Sequence, residues 1–93
     1  VQMQPTGKKE IIEADLVFLA MGFVHPVQEG LIKSSNLATD NRKNIIVDKS
    51  FKSSASNVFA CGDATTGASL VVKAMAAGRD TAKAIDSYLS SII

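Results

Sequence analysis

The C-terminal part of the chain carries a helical repeat of apolar and small residues, and this repeat constrains the fold more than any other feature. Between about Ser69 and Ser90 these residues recur in steps of three and four, while polar residues occupy the opposite face. The repeating residues are Val71, Ala74, Met75, Gly78, Ala82, Ile85 and Leu89. The spacing predicts one long helix with a packed face, and we expect Ser69 to be its N-cap.

Short apolar stretches of strand length precede this helix. Residues 15–21 form a continuous apolar run that ends at Gly22, which is typical of a strand buried on both faces of a parallel sheet. Residues 44–48 and 58–61 predict two further short strands. Because buried strands that lead into a helix indicate layered packing, we expect an α/β fold.

The remaining segments predict turns and irregular structure. Residues 1–4 and 8–13 flank the turn signal Pro5-Thr6-Gly7, so they predict a β-hairpin. Residues 28–43 are polar and mixed, and they predict an irregular segment with one helical turn near Leu31. Residues 49–57 are serine-rich and predict a loop.

Composition bounds the class of protein. The chain has 93 residues, 46% hydrophobic and 20% charged, which indicates one small globular unit. A net charge of +1 without charge runs argues against nucleic acid or a membrane surface as partner. The single cysteine, Cys61, excludes an intrachain disulfide and fits a cytoplasmic location. Because the chain starts at Val1 without signal-peptide features, we interpret that start as a boundary within a longer chain.

A Gly-Asp pair, Gly62 and Asp63, follows the predicted strand 58–61 and begins a glycine-containing loop that leads into the helix. Ligands of open α/β sheets bind beyond the carboxyl ends of strands. Glycine lets a ligand approach the backbone, and an aspartate offers two acceptor oxygens for hydroxyl groups. The helix N-terminus adds unpaired N–H groups. The arrangement suits a polyol chain and an electron-rich carbonyl, although an aspartate at this place can also cap a turn.

Residues 58–79 resemble the second FAD-binding motif of flavoproteins with two dinucleotide-binding domains, such as glutathione and thioredoxin reductases. Within that group, residues 67–79 and 84–89 are most similar to the glutamate synthase small-subunit family. The resemblance implies that Asp63 accepts a hydrogen bond from a ribityl hydroxyl of FAD and that Gly62 gives the cofactor room. It also implies that backbone N–H groups near residues 70–72 face the flavin, so Ser69, Leu70 and Val71 are candidate cofactor contacts.

Residues 14–23 resemble the strand that closes the NADPH domain in the same family. The two motifs together imply a partial Rossmann-like FAD/NAD(P)-binding fold. Residues 1–24 then end the NAD(P)H-binding domain, and residues 25–93 are the C-terminal segment of the FAD-binding domain. No GxGxxG motif occurs, so the diphosphate-binding loops for FAD and most of the NADPH site would lie outside this chain.

The implied function is electron transfer from NADPH through FAD within a larger oxidoreductase, and the chain alone is expected to be inactive. Its implied partners are the remainder of the flavoprotein and a glutamate synthase large subunit, with iron–sulfur clusters bound elsewhere. One alternative is another reductase on the same scaffold, and a second is a cofactor-free module that self-associates. We find no candidate acid, base or nucleophile, and we interpret Lys73 and Arg79 as solvated or capping charges.

Overall fold

The long C-terminal helix is the main element of the computed structural model, which describes residues 2–93. Three helices are present in this range: α1 (Leu31–Ser34), α2 (Asp63–Thr66) and α3 (Val71–Ser91). The predictions of the long helix and of a helical turn near Leu31 are therefore confirmed. The predicted N-cap is wrong, since Leu70 occupies that position with extended backbone (ψ 141°) and no side chain caps the helix.

The predicted strands are wrong as continuous strands. Across residues 2–93 the β-structure consists of two isolated antiparallel bridges, Thr39 with Ile45 and Lys52 with Phe59. Each bridge falls inside or beside a predicted strand, 44–48 or 58–61, but no neighbouring strand extends it. A parallel sheet needs several adjacent strands to satisfy the backbone, and this part of the chain does not supply them.

Two aspartates build tight turns of the same design, Asp40 within the first bridge and Asp48 just before the second. The Oδ1 atom of Asp40 accepts the N–H groups of Arg42 (2.8 Å) and Asn44 (3.0 Å). Asp48 Oδ1 likewise accepts the N–H groups of Ser50 (2.7 Å) and Lys52 (3.1 Å). The third residue after each aspartate has positive φ, 65° at Lys43 and 63° at Phe51. These side-chain bonds organise segments that the sequence predicted only as irregular.

The hydrophobic core is small and lies among loops. Its buried residues are Ile32, Leu37 and Ile45, and Val47, Ala55, Val58, Ala60 and Ala64 pack against them. Ile32 is the one buried residue of α1, so this short helix is held by the core. The Ile45 N–H donates to the Ala64 carbonyl (2.9 Å), which ties the first bridge to α2.

Helix α3 packs on the rest of the molecule along the side that holds Thr81, its one buried residue, and contacts near both ends are defined. Near its start, a Cβ built on Gly62 would lie 3.6 Å from the Ala74 Cβ, so the Gly62 backbone lies against the helix. Near its end, the ring of Tyr88 meets Phe59 edge-on at 5.5 Å, and the Lys52 ammonium lies 4.4 Å from the Tyr88 ring centroid. The second bridge therefore anchors the C-terminal half of α3.

Residues 2–24 lie outside this core. Residues 2–4 and 8–13 form no strand, so the predicted hairpin is wrong there, and Val1 is outside the described residues. A two-stranded hairpin has little stability without a further layer. The predicted buried strand 15–21 is also wrong, because Leu16, Phe18 and Met21 are 72%, 81% and 82% exposed. No helix in the described range is both long and apolar enough to cross a membrane.

Candidate cofactor site at the Gly-Asp loop

Gly62 positions the candidate site through its backbone. It has φ 68° and ψ −145°, a combination that favours glycine because a Cβ would be strained there. Its carbonyl oxygen accepts the backbone N–H groups of Thr65 (2.9 Å) and Thr66 (3.1 Å). The hydroxyl groups of both threonines donate to the same oxygen at 2.9 and 3.1 Å. These four bonds hold the one-turn helix α2 and thus place Asp63 at its first position.

The Asp63 carboxylate does not hold a turn within the described residues. Its side chain is exposed and accepts no hydrogen bond from residues 2–93, in contrast to Asp40 and Asp48. Only the Asp63 carbonyl is engaged, by the N–H of Gly67 at 3.0 Å. Its two carboxylate oxygens therefore remain available for hydroxyl or amide donors of a ligand.

A cleft of ≈ 330 Å³ opens beside this carboxylate, and we name it the Asp63 cleft. It lies between the Gly62–Gly67 loop and the first turns of α3. Its lining residues are Gly62, Asp63, Thr66, Ala68, Ser69, Lys73, Ala74 and Ala77. The small side chains of Ala74 and Ala77 leave room along the helix, so a flat or chain-like ligand can lie against α3.

A second cleft of ≈ 330 Å³ is also lined by Asp63, and its walls are mostly apolar. Residues 23–26 form one wall, and Asp63, Ala64, Gly67 and Ala68 form the other. The Nδ1–H of His25 donates to the Pro26 carbonyl at 2.7 Å, because that oxygen can only accept. Asp63 and Ala68 line both clefts.

The candidate cofactor residues divide into two groups. The structure brings Gly62, Asp63 and Ser69 together in the Asp63 cleft. Leu70 and Val71 do not line it, and their side chains are 63% and 75% exposed. Their relevant groups are backbone ones, since the first N–H groups of a helix have no intrahelical partner. The first intrahelical bonds of α3 start at Lys73 and Ala74, which donate to the Leu70 carbonyl at 3.0 and 3.2 Å.

Sequence reasoning missed Lys73 as a lining residue of this cleft. The signal was available, because Ser69, Lys73 and Ala77 are spaced by four and share one face when they lie on a helix. The helical repeat that defined the predicted packed face contains only apolar and small residues, so it did not include Lys73. Arg79, which was interpreted in the same way, is exposed and lines neither cleft.

Comparison with known proteins identifies the family. The model of the family described as pyridine nucleotide-disulphide oxidoreductase matches residues 1–78. The chain belongs to the pyridine nucleotide-disulphide oxidoreductase family. This membership indicates a Rossmann-like fold, a flavin and a pyridine nucleotide as cofactors. The α/β prediction agrees with the family at that level, while residues 2–93 themselves contain helices and bridges in place of a sheet.

Curated relatives narrow the resemblance within the pyridine nucleotide-disulphide oxidoreductases. The chain is 45% identical over 78 residues to a glutamate synthase [NADPH] small chain of Mycobacterium tuberculosis, covering 84% of this chain and 16% of that protein. It is 35% identical over 83 residues to the small chain of Bacillus subtilis, covering 89% and 17%. It is 38% identical over 86 residues to glutamate synthase [NADH] of Saccharomyces cerevisiae, covering 89% and 4%. The chain therefore spans less than a fifth of each of these relatives.

Proposed function

We propose that this chain is the FAD-contacting C-terminal segment of an NADPH-dependent flavoprotein oxidoreductase of the glutamate synthase small-chain type. The observation that carries the proposal is the Asp63 carboxylate, which is exposed, accepts no hydrogen bond within residues 2–93 and borders the Asp63 cleft. Family membership and the curated relatives support the same reaction class.

The residues present fit a flavin nucleotide. The ribityl chain of FAD carries hydroxyl donors, and the Asp63 carboxylate supplies acceptors for them. Gly62 exposes backbone at the cleft and carries no side chain that would block a ligand. The unpaired N–H groups at the start of α3 supply donors for an electron-rich carbonyl, and the dipole of this 21-residue helix favours negative charge there.

This chain's contribution to catalysis is binding and orientation. FAD, when bound, supplies the hydride chemistry that links NADPH to the later electron acceptor. The four hydrogen bonds at the Gly62 carbonyl keep Asp63 at one place, so the polyol chain is held in one register along α3. The start of α3 then sets the orientation of the group at the end of that polyol chain.

Exposed apolar residues support the proposal that the chain works within a larger protein. Ile11, Leu19, Phe23 and Val24 are 97%, 80%, 89% and 84% exposed. Burial of each large apolar side chain is favourable by about 1.5–3 kcal/mol. We therefore expect other parts of a larger protein to bury these residues. We propose that residues 1–24 complete the sheet of an NAD(P)H-binding domain and that residues 25–93 complete the FAD-binding domain.

The remaining assignments of the proposal concern partners. The NADPH site lies mostly outside this chain, and electrons pass to iron–sulfur clusters bound elsewhere and then to a glutamate synthase large subunit. The names of the curated relatives support this choice over a reductase of another substrate on the same scaffold. The single cysteine is consistent with a cytoplasmic enzyme.

The test is the flavin content of the full-length protein that carries this sequence. We expect the wild-type protein to purify with bound FAD and Asp63→Ala to lose at least tenfold in FAD affinity, because the ribityl hydroxyls lose their acceptor. Asp63→Asn keeps one acceptor oxygen and should lose less. Absorbance at the flavin band and a fluorescence titration of the flavin-free protein measure both.

Asp80→Ala is the matched control, because Asp80 is an exposed acidic residue of α3 that lines neither cleft. It should retain wild-type flavin content. Equal FAD affinity in Asp63→Ala and Asp80→Ala would remove Asp63 from the site. A wild-type protein that binds no flavin would overturn the proposed function itself.

A further inference from the structure

Lys73 is the one basic side chain that lines the Asp63 cleft. It lies in the first turn of α3, one helical turn beyond Ser69, and its side chain is exposed. No described residue pairs with it in an ion pair. Lys52, by contrast, lies over the Tyr88 ring, and Lys83 lies on α3 away from both clefts.

The position of Lys73 is electrostatically unfavourable for the helix alone. The N-terminus of a helix carries partial positive charge, so acidic residues stabilise the first turn and basic residues destabilise it. No acidic residue occurs in the first turn of α3. Lys73 and the unpaired N–H groups therefore create a positive region at one end of the cleft, while Asp63 provides a negative group.

We propose that Lys73 contacts the cofactor and pairs with a negative charge on the ligand whose hydroxyl groups Asp63 holds; this inference rests on the proposed function. The cleft offers acceptors at Asp63 and a cation at Lys73, so it suits a molecule with a polyol chain and an anionic group. FAD has two such groups. One is the diphosphate, and the other is the flavin ring after it has taken up two electrons and one proton.

The two sources of negative charge give different results for Lys73→Met in the full-length protein. If Lys73 pairs with the reduced ring, Lys73→Met should have a lower affinity for reduced flavin. Relative to the affinity for oxidised flavin, it should fall about tenfold from the wild-type ratio. A tenfold change corresponds to a two-electron midpoint potential about 30 mV lower. If Lys73 pairs with the diphosphate, the affinity for FAD should fall about tenfold in both redox states, and the affinity for riboflavin should not change.

Lys83→Met is the matched control, since it removes the same charge from an exposed position of the same helix outside the clefts. It should keep the wild-type potential and FAD affinity. Lys73→Arg should restore most of the effect, because the charge is retained. Thermal unfolding of the flavin-free protein tests whether Lys73 has a structural role. If Lys73 acts only on the ligand, Lys73→Met should unfold at or slightly above the wild-type temperature.

Two outcomes overturn the proposal. In the first, Lys73→Met has the same potential, FAD affinity and riboflavin affinity as Lys83→Met. In the second, Lys73→Met and the charge-retaining Lys73→Arg lower both the flavin-free unfolding temperature and the flavin affinity by equal amounts. A wild-type protein with bound FAD and an Asp63→Ala variant without it would leave the proposed function standing in either case. A wild-type protein that binds no flavin would overturn both.

Discussion

At the residue scale, the aspartates at 40 and 48 differ from Asp63 in what their carboxylates bond. Asp40 and Asp48 each accept two backbone N–H groups and hold a turn in which the third following residue has positive φ. Asp63 accepts none within the described residues, because the Gly62 carbonyl takes the N–H groups that a capping carboxylate would take. The Asp63 carboxylate is therefore exposed and not engaged by a described backbone donor.

This contrast predicts that substitution of Asp48 destabilises the flavin-free protein and that substitution of Asp63 does not. Asp48→Ala should lower the free energy of unfolding by about 1 kcal/mol, because two backbone N–H groups lose their partner. Asp48→Asn should lower it less, since the side-chain oxygen remains. Asp63→Ala should leave it within about 0.5 kcal/mol of the wild-type value. Urea unfolding followed by circular dichroism measures all three, and a loss of more than 1 kcal/mol in Asp63→Ala would assign that carboxylate a structural role.

At the scale of elements, α3 depends on a few contacts for its position. Its predicted packed face is partly exposed in the described range: Val71, Met75 and Leu89 are 75%, 64% and 48% exposed. Ala74, Gly78 and Ile85 of the same face are half-buried. Near the C-terminal end, Tyr88 holds the helix through its contacts with Phe59 and Lys52. The predicted packed face is therefore only partly covered within the described residues, and the one buried residue of the helix is Thr81.

The aromatic contact should be measurable by a double-mutant cycle. Tyr88→Leu and Phe59→Leu should each destabilise the protein, and the double variant should show a coupling energy of about 0.5–1.5 kcal/mol, because the edge-on pair is lost only once. Hydrogen exchange should become faster in the last two turns of α3 in each single variant. Strictly additive effects would show that Tyr88 and Phe59 do not stabilise each other.

At the scale of the whole molecule, the exposed apolar run and the shape both indicate an incomplete core. The radius of gyration is 18.5 Å, whereas a compact domain of about 100 residues has about 13 Å. The extents of 65 × 29 × 27 Å show the same elongation. The segment 2–24 contributes apolar side chains but no strand pairing, so its pattern is satisfied only by further protein.

We expect the isolated 93-residue chain to self-associate. We also expect its dissociation constant for FAD to be above about 1 μM. Sedimentation velocity should show oligomers, and Phe18→Lys should reduce them because it places a charge within the apolar run. Gln2→Lys adds the same charge outside the run and serves as the control. A monodisperse monomer, or submicromolar FAD binding by the isolated chain, would contradict this prediction.

The helices α1 and α3 and part of the lining of the Asp63 cleft were predictable from the sequence, whereas the strands were not. Helix α3 followed from its spacing, and Gly62, Asp63 and Ser69 meet in one cleft as expected of a Gly-Asp loop before a helix. The N-cap was predicted wrongly, and the position of Lys73 at the cleft was not predicted. Whether Ser69 or Leu70 ends the extended backbone depends on how the loop meets the helix, and periodicity does not report that geometry.

Local spacing and residue chemistry were sufficient to determine the family motif and the long helix, because these depend on neighbours in the chain. Strand formation was decided only by tertiary structure. A run such as 15–21 becomes a strand only when other strands satisfy its backbone, and residues 2–93 supply two single bridges. The tertiary structure also decided that Lys73 lies at the cleft, since only the packing of Ala74 against Gly62 turns that face of α3 toward Asp63.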